Sequence, residues 1–483
     1  MAESFFWHDY ETTGTDTRRD RPCQFAGIRT NTELEVIGEP VTLYCQPSID
    51  VLPVPEACLI TGITPQLCQR EGLPEPAFAK RINALFSEPG TCGAGYNSIR
   101  FDDEVTRNLL YRNFYDPYER EWRGGNSRFD LLDVMRLWHA LRPEGFNWPQ
   151  REDGSTSFRL EHLTAANGLA HERAHDALSD VEATLALARC LKTQQPRLWA
   201  HALKLRDKKF AASLLDASTL APVLHVSSRF AAARGCMAVI APLAWHPSNT
   251  NQVIAFDLDC DPTELLELEV DEIQDRVFAS EADLPEGLSR IPLKGVHTNK
   301  CPMLAPLATL DAASAKRWGV DLARCNAHRA ELLGAREAVA AKVQAVFANR
   351  EFDDDDAELS IYGGFAPAGD KARFLKIREA AAEALAQHQG RFADARYNEL
   401  LLRYRARNFP ASLNDTERAE WQEFVQRKLS IDTGLASLTL EQFNARIDQL
   451  LPAASDLQQL RLLQTLKDWP IDSGLEALLQ ASN

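Results

Sequence analysis

No stretch of this 483-residue chain approaches the ~18 consecutive apolar residues that a membrane-spanning helix needs. The opening Met1-Ala2-Glu3-Ser4 lacks the basic start and apolar run of a secretory signal, so the cytoplasm is the expected compartment. Ten cysteines are present but none is in a C-x-x-C spacing, which argues against structural zinc. In a reducing compartment they read as small buried hydrophobes. There is no internal repeat, and no low-complexity segment beyond Asp353-Asp354-Asp355-Asp356. Positive charge is also scarce: 53 Lys and Arg against 69 Asp and Glu leave a formal net charge of −16. As a total this disfavours a nucleic-acid partner, yet binding follows local potential. Acid gathers in stretches such as 351–358, read here as solvated, so a basic channel inside an acidic exterior stays open.

What is present is an ordinary globular composition, 45% hydrophobic and 25% charged, long enough for two to four domains. Residues 1–192 read as α/β. Strands are expected over 5–10, 24–30, 40–45 and 91–96, with helices near 75–87, 102–113, 130–141, 159–167 and 176–192. Residues 196–349 carry short apolar runs (222–226, 236–241, 252–257, 291–294) broken by Pro, Gly and Asn, as a β-rich domain would. Helical patches fall at 263–278 and 311–318, and a long helix is expected over 327–349. Residues 356–483 are periodic, Ala- and Leu-rich and helical, beyond an acidic linker.

The chemistry lies in the first 180 residues. Asp9 and Glu11 follow an apolar strand run, and side chains two apart on a strand share a face. Two adjacent carboxylates repel and are costly to bury, which a divalent cation relieves. Hard oxygen ligands suit Mg²⁺ or Mn²⁺. Alone, such a pair is more often a solvated strand face. Asp102 leads a helix after the 91–96 strand, His175 stands at the entry to another helix, and Asp180 lies within it. Singly, Asp102 reads as an N-cap, Asp180 as surface and His175 as a core or capping residue. Asp103 and Asp176 adjoin the set, and Asp176 reads as a helix cap.

The ordered set Asp9-x-Glu11, Asp102, His175-x(4)-Asp180 resembles the DEDDh family of 3′→5′ exonucleases. Further strings, among them His8-Asp9-Tyr10-Glu11-Thr12, Ile60-Thr61-Gly62-Ile63-Thr64-Pro65, Leu243-Ala244-Trp245-His246-Pro247, Asn299-Lys300-Cys301-Pro302 and Tyr404-Arg405-Ala406-Arg407-Asn408-Phe409-Pro410, are similar to bacterial exodeoxyribonuclease I across all three thirds of the chain. Thr13 departs from it, where the family is expected to carry an aromatic. The resemblance implies a ribonuclease-H-like mixed-sheet domain, an SH3-like β-rich domain and an all-helical C-terminal domain. It implies two Mg²⁺ ions, with Mn²⁺ able to substitute: Asp9, Glu11 and Asp180 hold one, Asp9 and Asp102 the other. His175 becomes the general base, since imidazole titrates near working pH. Glu11 and Arg159 become substrate contacts near the scissile phosphate.

Between 107 and 128, five arginines (107, 112, 120, 123, 128) alternate with five aromatics (111, 114, 115, 118, 122), interrupted by only three acids. Such interleaving suits a single strand, with rings for bases and guanidinium groups for phosphates. The bland reading is a helix whose aromatics pack inward. Arg107, Tyr118, Trp122, Arg136 and Lys300 are the expected DNA contacts. Arg403, Arg405 and Arg407 fit either DNA or interdomain salt bridges. The expected partners are single-stranded DNA and a single-stranded-DNA-binding protein, with no membrane, and the expected state is a monomer. By resemblance, the helical third closes as a clamp over the strand.

Overall fold

The computed structural model describes residues 3–171, 175–348 and 356–480. Phe5, Phe6 and Trp7 are successive and all buried, so β1 (Ser4–Thr12) is covered on both faces and lies inside a sheet. It pairs antiparallel with β2 (Pro22–Thr30), from Phe5 opposite Thr30 to Thr12 opposite Pro22. β3 (Val41–Tyr44) continues the meander antiparallel to β2. β4 (Thr91–Gly95) pairs parallel to β1, from Ser4 opposite Thr91 to Trp7 opposite Ala94. With β5 (Ser127–Asp130) the sheet order is β3-β2-β1-β4-β5, the mixed five-stranded sheet of the ribonuclease-H-like fold. Gly27 makes one close approach possible: a Cβ there would lie 2.5 Å from Phe6 Cζ.

The chain forms two compact units, residues 1–126, 171–182 and 352–483 in one, 127–170 and 183–351 in the other. In the first unit, helices Glu75–Phe86 and Asp102–Arg112 bury Phe78, Ile82, Phe86, Val105 and Leu109 against Phe6, Tyr10 and Phe25. The two short helices Pro55–Thr61 and Pro65–Glu71 were not expected, although each carries proline in its first turn, where the missing N–H costs nothing.

The helical third belongs to the same unit and shares its cores. Leu52 and Cys58 pack with Trp421, Phe424, Val425, Phe443 and Leu466, while Tyr111 and Phe114 pack with Phe374, Phe392, Tyr397 and Tyr404. The arginine cluster is structural. Arg403 forks onto Asp356 at 2.8 Å through both Nη atoms, and Arg405 pairs with Glu417 at 2.6 Å. Arg407 binds both oxygens of Asp50 at 2.9 and 2.7 Å. Fully buried Asp50 also accepts from Lys428 Nζ at 2.7 Å, and Glu358 takes Arg21 at 2.8 Å as well as Arg407. The solvated reading of 351–358 therefore fails at its described end: Asp356 is ion-paired, and Glu358 is buried and doubly paired. Residues 351–355 lie outside the described residues.

In the second unit, five strands form an all-antiparallel sheet of order β10-β6-β7-β8-β9. They are β6 (Val223–Val226), β7 (Met237–Trp245), β8 (Gln252–Asp257), β9 (Leu293–His297) and β10 (Met303–Pro306). β10 escaped the sequence reading because Pro302 and Pro306 bracket it; the strand lies at the sheet edge, where proline is tolerated, as it is at the β7 bulge beside Pro242. The long helix expected over 327–349 is two, Leu322–Gly334 and Arg336–Phe347, broken beside Gly334, a poor helix former. No helix among the described residues is long and apolar enough to cross a membrane.

Candidate active site

The parallel pairing of β1 with β4 stops at Trp7 and Ala94, so the last residues of β1 run beyond β4 and leave backbone N–H groups to be satisfied. Asp102 fills that need: its Oδ1 accepts from Tyr10 N at 3.0 Å. The carboxylate is thus not an N-cap; it folds back onto β1 between Asp9 and Glu11. Gly95 permits the turn that brings it there, since a Cβ would lie 2.8 Å from the His8 carbonyl and 2.7 Å from Ser98 Cβ. The neighbouring Asp103 is committed elsewhere, buried and paired with Arg120 Nη2 at 2.7 Å.

Glu11 sits opposite Gln24 on β2. Gln24 Oε1 accepts from Ala177 N at 3.2 Å, which ties the start of helix Ala177–Gln194 to the strand bearing Glu11. Nothing in the sequence singled out Gln24; its register opposite Glu11 was the available signal. Asp176 caps the helix, accepting from Ser179 N at 3.2 Å. His175 stands just before it in the left-handed region (φ 66°), a strained conformation for a residue with a Cβ and one that concentrates at functional sites. Glu11, His175 and Asp180 each offer a ligand atom, all within 4.8 Å of one another.

The electrostatics agree with the geometry. Burial, then the charges of Asp102, Glu11 and Asp180, push the Asp9 carboxyl well above its ordinary range. Burial, then Asp180 and Asp102, push Glu11 up to about 8. Burial also raises Asp180, against a hydrogen bond from His171 that lowers it. Four carboxylates thus converge, and the opposing positive charge at Asp180 comes from the imidazoles of His171 and His175. Such a hard-oxygen set with one imidazole fits a divalent metal.

The expected DNA contacts fare unevenly. Arg107 is not a free phosphate contact: only 4% exposed, it is bound by Glu121 at 2.7 and 2.9 Å and by Glu104 at 2.6 Å. Its partners lie 14 and 3 residues away, and a guanidinium this buried needs them, because an uncompensated buried charge is costly. Arg112 is likewise held by Glu75 at 2.9 Å. Tyr118 packs its ring on Arg107 and 5.7 Å from Phe365, and its hydroxyl donates to the Ile361 carbonyl. Trp122 is 65% exposed. In the second unit the Arg159 side chain is 68% exposed, 3.9 Å from Glu161, whereas Arg136 pairs with Asp133 at 2.6 Å. Lys300 is half-buried in the turn after β9. Thr13 is buried, with its hydroxyl 3.2 Å from Asp20 Oδ1 and accepting from Arg21 N at 2.9 Å.

Three family models match this chain: "Exonuclease" over residues 6–188, "Exonuclease I SH3-like domain" over 206–349 and "Exonuclease I C-terminal domain" over 355–472. Exodeoxyribonuclease I of Escherichia coli is 48% identical over 425 residues, covering 88% of this chain and 89% of that one. Exonuclease I from the moderately thermophilic Methylocaldum szegediense superposes with a TM-score of 0.92 at 48% identity, covering 99% and 100% of the two chains. A zinc-bound E. coli exonuclease I–single-stranded-DNA complex gives a TM-score of 0.91 at 44% identity, covering 98% and 99%. A structure of SSB/exonuclease I in complex with the inhibitor CFAM gives 0.90 at 43%, covering 98% and 100%. Likeness of this degree, spanning catalytic strands, β-rich domain and helical third alike, means that the chain belongs to the exodeoxyribonuclease I family, 3′→5′ exonucleases of single-stranded DNA.

Proposed function

We propose that Asp9, Glu11, Asp102 and Asp180 hold two Mg²⁺ ions, replaceable by Mn²⁺, and that His175 is the general base of the hydrolysis. The observation that carries this reading is the convergence of the four carboxylates at the open end of β1, with Asp9, Glu11 and Asp180 all shifted upward. When bound, the cations supply Lewis acidity and offset the charge developing on the phosphate and the leaving oxygen. His175 takes the proton from the attacking water, whose oxygen bonds to phosphorus as the bond from phosphorus to O3′ breaks; O3′ takes a proton from solvent, and the shortened strand leaves with a new 3′ hydroxyl. The terminal residue departs as a 5′ mononucleotide. Arg159, exposed and cationic, neutralises phosphate near the scissile bond, and Glu11 adjoins the terminal nucleotide. Trp122 offers a ring for base stacking, and Arg136 and Lys300 are weaker candidates for phosphate contact. A single-stranded-DNA-binding protein is the proposed recruiting partner, on the strength of the SSB–exonuclease I structure. The proposed setting is cytoplasmic DNA repair and recombination, as a monomer.

The test is release of label from the 3′ end of DNA and RNA single strands and of blunt duplex, with Mg²⁺, with Mn²⁺ and with chelator. Rapid mononucleotide release from single-stranded DNA alone, abolished by chelator, is expected. Retained activity in chelator would remove the metal assignment. His175→Ala should slow cleavage by about 10²–10⁴, the usual weight of a general base, with partial recovery at higher pH. An unaltered pH–rate profile would place the base elsewhere. Trp122→Ala should weaken binding to single strands by about 1–3 kcal/mol while sparing the rate at saturating DNA. Equal affinity by fluorescence anisotropy would dismiss the stacking role.

A further inference from the structure

A second histidine touches the site. His171 Nε2 lies 2.5 Å from Asp180 Oδ1, and its side chain is only 5% exposed, whereas His175 is exposed. Asp180 reaches the site from the first turns of a helix whose start is fixed by Gln24, but that anchor sets the backbone and not the carboxylate's rotation. An aspartate has two side-chain torsions, and repulsion from Asp9 and Glu11 favours turning its oxygens away from the other carboxylates. A donor on one oxygen opposes that rotation.

We infer that His171 is a positioning residue for Asp180: its Nε2–H donates to Oδ1 and holds the carboxylate facing Glu11 and His175, so that the metal-binding set is assembled before the cation arrives. The inference rests on the metal reading of the cluster given above. It separates the two histidines by role. His175, exposed and with a ligand atom within 4.8 Å of Glu11 and Asp180, acts on the reacting water, while His171 acts only through Asp180. Hydrogen-bonding partners behind ligating carboxylates are worth about 10–100-fold in metal affinity.

The experiment measures Mn²⁺ binding to the full-length protein by isothermal titration calorimetry, alongside cleavage of a single strand as a function of Mn²⁺. His171→Ala should weaken Mn²⁺ binding by about 10–100-fold and shift the metal dependence of cleavage by the same factor. The rate at saturating Mn²⁺ should fall much less. His171→Gln, which keeps a side-chain N–H donor, should restore binding to within about threefold. His175→Ala should show the opposite pattern, a rate loss that added metal does not repair. Wild-type Mn²⁺ affinity in a folded His171→Ala protein would overturn the inference, as would a glutamine variant as weak as the alanine one. Failure of the wild type itself to take up Mn²⁺ would instead overturn the metal reading, so the two are distinguished.

Discussion

Replacing Asp9 by asparagine is expected to lower turnover by about three to four orders of magnitude while making the metal-free protein more stable. The rate loss follows from removing one of the proposed metal ligands: several kcal/mol of charge stabilisation are at stake, and ~1.36 kcal/mol is a factor of ten in rate. Binding of single strands should persist, because no cationic or aromatic contact is touched. The gain in stability follows from the same carboxyl. Burial and the charges of Asp102, Glu11 and Asp180 disfavour its ionised form in the folded protein, so a neutral isostere relieves both terms. The sign of the pH dependence is fixed as well. Folded pKa values raised above the unfolded ones mean that the folded state holds more protons, so stability falls as pH rises through that window. With Glu11 pushed up to about 8, the window runs from the ordinary carboxylate range to about pH 8. In chelator the wild type should therefore melt lower at pH 8 than at pH 5.5, Mg²⁺ should reverse the loss, and Asp9→Asn should show less of both. Turnover within tenfold of wild type would contradict the assignment.

Removing residues 351–483 should leave no folded nuclease. A clamp could in principle be removed from a nuclease that folds by itself, but the shared cores argue otherwise. Truncation strips Leu52, Cys58, Tyr111 and Phe114 of their buried neighbours. It also strips Asp50, fully buried in the intact chain, of Arg407 and Lys428. The point version of this test is Asp50→Ala, expected to cost about 3–5 kcal/mol because buried Lys428 loses its carboxylate and Arg407 is left with Glu358 alone. Burial alone would raise the Asp50 carboxyl, yet Arg407 and Lys428 outweigh it and hold it well below the ordinary range; Glu358 behaves alike under Arg407 and Arg21. Depressed folded values contribute stability above the unfolded carboxylate pKa, near 4, which is lost as pH falls through the folded values. Asp50→Ala should thus melt lower at neutral pH and show a shallower loss toward acid. A soluble, cooperatively melting truncation would refute the shared-core account.

The strand alternation of Asp9 and Glu11, the helix start at Asp102 and the five-residue step from His175 to Asp180 were legible in the sequence, because each is a local rule of backbone geometry. The first three strands and the β-rich middle were legible for the same reason, since apolar periodicity is written within a few residues. The charges were not. Arg107, Arg112 and the 403–407 cluster look alike in sequence to a nucleic-acid surface, and only the fold supplies Glu121, Glu75, Asp50 and Glu358 as partners. Gln24 and His171 escaped notice for a related reason: each is tied to the site by a hydrogen bond whose meaning depends on what its partner does. The carboxylates, the histidine and their order belong to the chain. Which cations stay free, and how the carboxylates are held to face one another, is decided by contacts between residues up to hundreds of positions apart, where burial makes an unpaired charge too costly to leave alone.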